Sequence, residues 1–502
     1  MTEPEHDSSS KGSSLRSLAR LRPYVRPHRT KLAASTALAT LASCLALIMP
    51  LVLKWIVDGP IASHKPGAVV FGGVALLALG VAEASIFGIR RRLAAGPLAA
   101  VEAAMREHFY RHLQALPVSF HDRWAAGQLL SRATTDLQVV RLFLAGQMTF
   151  IVVNTVTIFA GAAILISQQW ALALIVIVTV PAFIVTSARF ERRYAVATRS
   201  AQDSSGDLTT TVRESVLGIR VIKGLRQEGN RLLRFKEDVH HVRDAELQKA
   251  DLLGRYSAVL VALPEAATAC ALVIGAELVA HGHLSTGALV AFLALVLVLA
   301  PSVAQVGPLL ASCHDAAAAT DRYFEILEEL VAPNDRHATL PSSSMAAELV
   351  FEGVDFHYPG TPEERAPVLS GVTLRVAPGE TLAVVGATGS GKSTLAALAA
   401  GLYDPVRGRI TLDGVDISTL SQAELRTAVT VAFDDPTLFS MSVADNVRMG
   451  HHAEASSVEE ALRIAHALDF VSQLPDGVQT TLGENGMTLS GGQRQRVDVF
   501  PS

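Results

Sequence analysis

The stretch that decides the fold is Gly386-Ala387-Thr388-Gly389-Ser390-Gly391-Lys392-Ser393. It carries two glycines separated by four residues, then a lysine and a serine, which is the pattern of a phosphate-binding loop. An apolar, strand-like run at residues 381–385 precedes it, and a helix-forming run at residues 394–402 follows it. Glycines let backbone N–H groups close around phosphate oxygens, and the N-terminus of the following helix adds positive potential. We expect the Lys392 ammonium to reach nucleotide phosphates and the Ser393 hydroxyl to coordinate Mg²⁺.

Composition places much of the chain in a lipid bilayer. Half of its 502 residues are hydrophobic, 18% are charged and the mean hydropathy is +0.33, which is unusual for a soluble protein of this size. The net charge of −4 gives no support for a nucleic-acid partner. The cysteines Cys44, Cys270 and Cys313 lie far apart without metal-ligand spacing, so we interpret them as small hydrophobic residues in a reducing compartment.

Six apolar stretches follow a polar N-terminal segment, and each is close to or above the ~20 residues that cross a bilayer as a helix. They lie at residues 32–57, 68–89, 147–167, 170–187, 258–279 and 286–309. The charged segments between them, 90–146 and 188–256, keep apolar residues at helical spacing, so we expect them to extend the spans as helices into the cytoplasm. The predicted fold class begins with a polytopic α-helical membrane domain of six transmembrane helices with long cytoplasmic extensions.

Charge asymmetry orients this bundle. Lysine and arginine are frequent in the N-terminal segment and in both long segments, whereas the connections after spans one, three and five carry only Lys65. Positive residues stay on the cytoplasmic side, which predicts a multi-pass protein of the cell membrane with both termini in the cytoplasm. The basic segment 15–31 is either an amphipathic helix on the membrane surface or an ordinary positive flank of the first span.

Polar and helix-breaking residues inside the spans mark two further features. Glu83, Glu265 and Glu277 fall within apolar runs, where a carboxylate is costly. They face a wet pathway, or they lie near span ends, or they pair within the bundle. Four prolines are expected to kink the helices that contain them. These are Pro50, Pro181, Pro264 and Pro301.

The pattern changes after residue 345, where β-type runs separated by glycine turns predict a soluble α/β domain. The runs lie at residues 349–351, 368–376, 381–385 and 409–412. Tyr358 closes the first of them and is either an aromatic that stacks on adenine or an ordinary residue at a strand end.

A second glycine-rich motif lies far downstream, at Leu489-Ser490-Gly491-Gly492-Gln493-Arg494-Gln495-Arg496. A serine and two glycines before a helix-forming stretch provide another anion cradle. One nucleotide does not need two cradles from one chain, so the second is expected to serve a nucleotide held by another subunit.

This motif, behind a phosphate loop and six spans, resembles the signature of the ABC transporter superfamily, specifically exporter-type half-transporters such as bacterial multidrug and lipid exporters. The resemblance covers residues 18–497. It implies a cytoplasmic segment at 1–30, a membrane domain at 31–310, a linker at 311–345 and an ATP-binding domain at 346–502.

The resemblance also implies a mechanism and its residues. Two half-transporters would hold two ATP molecules with Mg²⁺. Each ATP would lie between residues 386–394 (ending at Thr394) of one chain and residues 489–493 of the other, and Tyr358 would stack against its adenine. ATP would drive export of a hydrophobic, drug-like, lipidic or peptidic substrate. Residues 121–132 and 214–223 resemble the two coupling segments that dock on ATP-binding domains, and residues 483–486 resemble the exporter cross-talk loop.

Two departures from the family pattern matter. Asp434 stands where the family has a glutamine, and its carboxylate can still coordinate Mg²⁺. The pattern also stops after Val497, without the acidic pair and the histidine that act on ATP in the family, so no catalytic residue is assigned. We therefore expect an incomplete ATP-binding domain with an opened core, which binds MgATP but does not hydrolyse it alone.

Three interpretations of the departures stay open. The chain is an exporter half with a disturbed reading frame near its end, or a catalytically silent partner that lends Ser490, Gly491 and Gly492 to a complete half-transporter. The third is a membrane-anchored kinase or nucleotide sensor, against which the signature and both coupling-type segments argue.

Overall fold

The computed structural model describes residues 14–331, 338, 340, 347–359, 366–432, 436–449, 455–483, 486 and 489–498. The chain divides into two compact units. The first comprises Met1–Arg111 with Leu130–Glu328, and the second comprises His112–Leu129 with Glu329–Ser502.

The helices before the linker are, in chain order, α1 Ser14–Ala19, α2 Arg22–Val25, α3 Arg29–Ile56, α4 Pro66–Ala115, α5 Val118–Arg123, α6 Ala126–Ser131, α7 Leu137–Leu142, α8 Met148–Gln168, α9 Trp170–Leu217, α10 Ile219–Gly224, α11 Glu228–Ala280, α12 Thr286–Ala304 and α13 Val306–Leu327. After it lie β1 Leu349–Phe356, β2 Leu369–Val376, α14 Lys392–Ala399, β3 Arg407–Leu412, β4 Val415–Asp416, α15 Gln422–Ala428, α16 Val443–Arg448, α17 Ala455–Ile464, α18 Leu468–Val471 and α19 Gly491–Asp498.

The six predicted spans are confirmed, since six helical segments are long and apolar enough to cross a membrane. The predicted cytoplasmic extensions are helical too. α9 has 48 residues and α11 has 53. At 1.5 Å per residue these helices are about 70–80 Å long, more than twice the ~30 Å hydrocarbon core, and they pack along each other. The four span prolines lie inside continuous helices.

The cytoplasmic end of span three differs from the prediction of one continuous helix. Two π-helical turns, Arg132–Asp136 and Phe143–Gln147, interrupt it. Each turn inserts an extra residue, which is tolerated where tertiary contacts hold it. The buried Asp136 carboxylate accepts two hydrogen bonds from the Arg322 guanidinium of α13, at 2.9 and 2.5 Å. This paired anchor, which lies in the first unit, accounts for the local change of helix.

The basic N-terminal segment packs on α13. The Ser17 hydroxyl donates to Asp321 at 2.8 Å, and the Arg20 guanidinium lies 4.1 Å from the centroid of the Phe324 ring. The hydroxyls of Tyr24 and the buried Tyr323 share a hydrogen bond of 3.1 Å. These contacts favour a fixed attachment to α13 over a helix that lies free on the membrane surface.

The carboxylates in the spans lie on the surface of the single chain. Glu265 and Glu277 are exposed and Glu83 is half-buried. Within the described residues, none of the three takes part in a hydrogen bond or ion pair. The interpretation that they pair inside the bundle of one chain is therefore wrong for this part of the structure.

The second unit contains two hydrophobic cores. The first lies between a sheet of strand order β2-β1-β3-β4, antiparallel throughout, and helices α14 and α15. In it Phe351 of β1 stands opposite Leu374 and Ile410 on the neighbouring strands. The second core is made by helices α16 to α19. Leu395, just after the phosphate loop, packs against the first core, and Leu489 of the signature motif lies in the second.

The strand predicted at residues 381–385 is not formed. These residues have no strand partner, and the side chains of Leu382, Val384 and Val385 are exposed, Val385 by 88%. A strand exists only through hydrogen bonds to a neighbour. The sheet's central strand β1 is already flanked by β2 and β3, and no other described segment lies beside residues 381–385.

A polar contact fixes the start of α12 to the end of α3. The Asp58 carboxylate accepts from the Ser285 hydroxyl at 2.6 Å and from the Gly287 N–H at 2.7 Å, so it caps the N-terminus of α12. A Cβ on Gly287 would lie 2.6 Å from the Asp58 carboxylate and 2.6 Å from the Lys54 carbonyl oxygen. Only glycine lets the two segments approach this closely.

Substitution Gly287→Ala should therefore lower the free energy of unfolding by roughly 1–3 kcal/mol, because the added methyl group forces α12 away from Asp58. The matched control is Gly73→Ala on α4, where a Cβ meets nothing within 4 Å. Unfolding of both variants in detergent, titrated with denaturing surfactant, compares them. Equal stability of the two variants would contradict the described packing.

Candidate functional site

The phosphate loop has the backbone conformation that its glycines predict. Gly389 and Gly391 adopt φ values of +85° and +89°, and Gly391 is the N-cap of α14. A Cβ on Gly391 would lie 2.7 Å from the Leu369 side chain and 3.2 Å from the Val368 carbonyl oxygen, whereas one on Gly389 would meet nothing within 4 Å. The loop is thus packed on β2 at Gly391 and open at Gly389.

Lys392 lies back over this loop. Its ammonium donates to the carbonyl oxygens of Gly386 at 3.0 Å and Ala387 at 2.9 Å. The first N–H groups of α14 have no acceptor within the helix by geometry, and the helix dipole adds positive potential at the same point. A glycine-rich loop, a helix N-terminus and an ammonium fit a phosphate group, the anion for which the sequence predicts this loop.

The predicted metal ligands are only partly described. Ser393 lies exposed in the first turn of α14, where its hydroxyl can coordinate Mg²⁺. Asp434 lies outside the described residues. The described residues contain no group of three or more His, Cys, Asp and Glu side chains arranged for a metal. The Mg²⁺ assignment therefore remains a prediction.

Tyr358 lies beside the phosphate loop. Its hydroxyl shares a hydrogen bond of 2.9 Å with Thr394, which is 4% exposed in the first turn of α14. The Tyr358 ring, 36% exposed, meets the rings of Phe356 and Tyr403 nearly at right angles, at centroid distances of 5.1 and 5.4 Å. The structure thus brings the predicted adenine-stacking aromatic next to the predicted phosphate site.

The first coupling-type segment overlaps α5 at residues 121–123, and its residues up to Leu129 belong to the same compact unit as the phosphate loop. The Tyr403 hydroxyl donates to the Asp122 carboxylate at 2.6 Å, and Arg123 pairs with Glu329 at 3.5 Å. Burial raises the pKa of the Tyr403 phenol well above its ordinary value, and the hydrogen bond to Asp122 raises it further. Tyr403 was not identified from the sequence.

The second coupling-type segment exposes an apolar surface, here called the apolar tip. It consists of Val216, Leu217, Ile219, Val221 and Leu225, all exposed, around the buried Ile222. Leu217 lies 30 residues beyond the apolar span of α9, about 45 Å along the helix, and thus beyond the reach of a ~30 Å hydrocarbon core. The tip is therefore an exposed hydrophobic patch in water.

The signature motif begins α19 with a capping box. The Ser490 N–H donates to the Gln493 side chain at 2.8 Å, and the Gln493 N–H donates to the Ser490 hydroxyl at 3.3 Å. Leu489 and Val497 anchor the helix in the second core. Because each of the two side chains accepts the backbone N–H of the other residue, the cradle depends on the backbone of Gly491 and Gly492. The serine–glutamine spacing was a readable capping signal that the sequence interpretation missed.

The loop expected for cross-talk is only partly described. Glu484 and Asn485 lie outside the described residues. Gly486 adopts a φ of +63°, and a Cβ there would lie 2.9 Å from Leu438 in the second core.

Comparisons with known proteins agree with this arrangement. One family model, described as the ABC transporter transmembrane region, matches residues 32–303, and a second, described as ABC transporter, matches residues 369–500. The chain belongs to the ABC transporter family. This confirms the predicted fold class, a six-helix membrane domain fused to part of an ATP-binding domain.

This ABC transporter chain is similar to curated proteins named for multidrug efflux and for lipid A-core flipping. It is 34% identical over 481 residues to a multidrug efflux ATP-binding/permease protein of Mycobacterium tuberculosis, covering 95% of this chain but 40% of that protein. It is 32% identical over 482 residues to an ATP-dependent lipid A-core flippase of Thiobacillus denitrificans, covering 96% of this chain and 82% of that protein. The chain thus spans less than half the length of its mycobacterial relative.

The phosphate loop yields a stability prediction. Gly389→Ala and Gly391→Ala both place an alanine in the left-handed region, at a cost of about 1–2 kcal/mol. Gly391→Ala should lower the free energy of unfolding by about 1–3 kcal/mol more, because its methyl group also collides with β2. Pulse proteolysis in urea, followed at fragments of the second unit, measures both. Equal losses would contradict the packing at Gly391.

Proposed function

We propose that this chain is one half of an ATP-driven exporter in the cell membrane. Residues 386–394 would bind the phosphates of ATP, and the observation that carries the proposal is this loop, with its left-handed Gly389 and Gly391, the α14 N-terminus and Lys392. ATP, when bound, would supply the free energy that changes the helical bundle. Both termini would lie in the cytoplasm, where ATP is available, in agreement with the lysine and arginine distribution.

A second half-transporter is needed for a complete site in this proposal. The phosphate loop and the signature motif belong to different hydrophobic cores of the second unit, so each is built independently. The apolar tip supports the same arrangement, because an exposed hydrophobic patch of this kind is typical of a protein interface. The partner would be a second copy or a related half-transporter, and the tip would bind its ATP-binding domain.

A hydrophobic or amphipathic molecule is the substrate class that the membrane unit favours. An apolar cavity of about 70 Å³ lies between α9, α11 and α12, lined by Val176, Phe183, Pro264 and Leu299, with Thr179 as its one polar lining residue among those described. The names of the relatives, multidrug efflux and lipid A-core flippase, favour the same substrate class.

The test of ATP binding is Lys392→Ala in the full chain, held in lipid nanodiscs. Loss of a charge-assisted hydrogen bond to phosphate should weaken binding of a fluorescent ATP analogue by about ten- to a hundredfold. The control is Lys236→Ala, which removes an exposed lysine from α11 and should leave affinity unchanged. Failure of the wild-type chain to bind the analogue, or equal affinities of the Lys392→Ala and Lys236→Ala variants, would refute the proposed site.

The test of partner binding is Leu217→Glu. A charge in the apolar tip should reduce association of the chain in detergent, measured by sedimentation and cross-linking, about tenfold or more. The control is Leu15→Glu on α1, since Leu15 is 79% exposed and Leu217 is 80% exposed. Association that responds equally to both substitutions, or to neither, would exclude the tip as the interface.

A further inference from the structure

A continuous set of side-chain contacts connects the phosphate loop to α5. Thr394 in the first turn of α14 is hydrogen-bonded to the Tyr358 hydroxyl at 2.9 Å. The Tyr358 ring meets the Tyr403 ring edge to face, with centroids 5.4 Å apart and an interplanar angle of 87°. The Tyr403 hydroxyl then donates to Asp122 at 2.6 Å. We call Thr394, Tyr358, Tyr403 and Asp122 the tyrosine relay.

Each contact of the relay restricts the position of the next residue. Thr394 is nearly inaccessible, so its hydroxyl fixes the Tyr358 hydroxyl against α14. Edge-to-face contacts with Phe356 and Tyr403 then fix the angle of the Tyr358 ring. A hydrogen bond to a carboxylate is about twice as strong as a neutral one, so Asp122 is a firm acceptor at the far end.

The relay keeps its donor throughout the physiological pH range. Burial and the Asp122 carboxylate raise the pKa of the Tyr403 phenol, so the hydroxyl retains its proton well above neutral pH. The other charged groups near this contact are Arg123 and Glu329, which pair with each other.

We propose that Tyr403 is a positioning residue that makes the ATP affinity of the phosphate loop depend on the docking of α5 through Asp122. With the hydrogen bond intact, the Tyr358 ring and the first turn of α14 are held in one arrangement before a nucleotide arrives. Without it, the ring and the turn must be ordered on binding, and this ordering opposes binding. Linkage requires the reverse effect as well: a bound nucleotide strengthens the docking of α5. The inference rests on the proposed ATP binding by this loop.

The neighbouring ion pair offers a matched comparison. Arg123, the residue after Asp122, pairs with Glu329 at 3.5 Å. Among the described residues, neither of them forms a hydrogen bond or ion pair with the side chains of the relay. If ATP affinity depends only on the docking of α5 in general, removal of either contact should lower it. If the effect passes through Tyr358, only removal of the contact between Tyr403 and Asp122 should lower it.

The experiment measures the affinity of the full chain in nanodiscs for a fluorescent ATP analogue. Tyr403→Phe removes the hydrogen bond, and Asp122→Asn removes the charge that strengthens it; both keep the side-chain shape. Tyr403→Phe should weaken binding about three- to tenfold, and Asp122→Asn should weaken it less. Because both act on the same contact, the double variant should be no weaker than Tyr403→Phe alone. Arg123→Gln should bind as the wild type does.

A second readout separates positioning from loss of structure. Saturating analogue should slow tryptic cleavage after Arg123 in the wild type, and Tyr403→Phe should abolish this protection. Unchanged affinities, additive effects of Tyr403→Phe and Asp122→Asn, or equal weakening by Arg123→Gln would each overturn the relay. If the affinity for the analogue depends on Lys392 but not on Asp122, only this inference is overturned. If the wild-type chain does not bind the analogue at all, the proposed function is overturned.

Discussion

The structure depends on one constraint of the hydrocarbon core, where each backbone N–H and C=O must be bonded inside its own segment. This constraint makes continuous helices the required form of the six spans. It also explains why four prolines are accommodated without ending the helices. Both α9, which begins in its apolar span, and α11, which ends in its own, extend beyond the hydrocarbon as one packed pair. The apolar tip lies in water at the end of this pair. The exposed hydrophobic surface of the tip is thus a consequence of helices that start in the membrane.

The second unit builds its two glycine-rich motifs on different cores. The sheet β2-β1-β3-β4 with α14 and α15 supports the phosphate loop, while α16 to α19 support the signature motif. Both anion cradles use a helix N-terminus, but the side chains that contribute to them differ. Lys392 contributes a charge to one, whereas the capping box of Ser490 and Gln493 leaves mainly backbone to the other. This difference fits the proposed arrangement, in which the phosphate loop binds an anion by itself and the signature motif completes a site on another subunit.

Local patterns explain which parts of the structure could be predicted from the sequence. The spans, their helical extensions, the phosphate loop and the start of α19 each depend on residues close together in the chain, so periodicity and glycine spacing were sufficient. The strand expected at 381–385 was wrong because strand formation depends on neighbours that a local pattern does not contain. Tyr403 was missed for a related reason: its partner Asp122 is 281 residues away in the sequence. The π-helical turns near Asp136 likewise depend on Arg322 in another helix.

The uninterrupted length of α11 has a mechanical consequence. A rigid rod of about 80 Å that pivots by about 5° at its midpoint moves each end by about 3.5 Å, close to the diameter of an atom. Pro264 does not divide this rod, since the helix continues on both sides of it. A displacement of the end of α11 next to the apolar tip would thus be transmitted at the same size to the far end of α11, without any change in helix length.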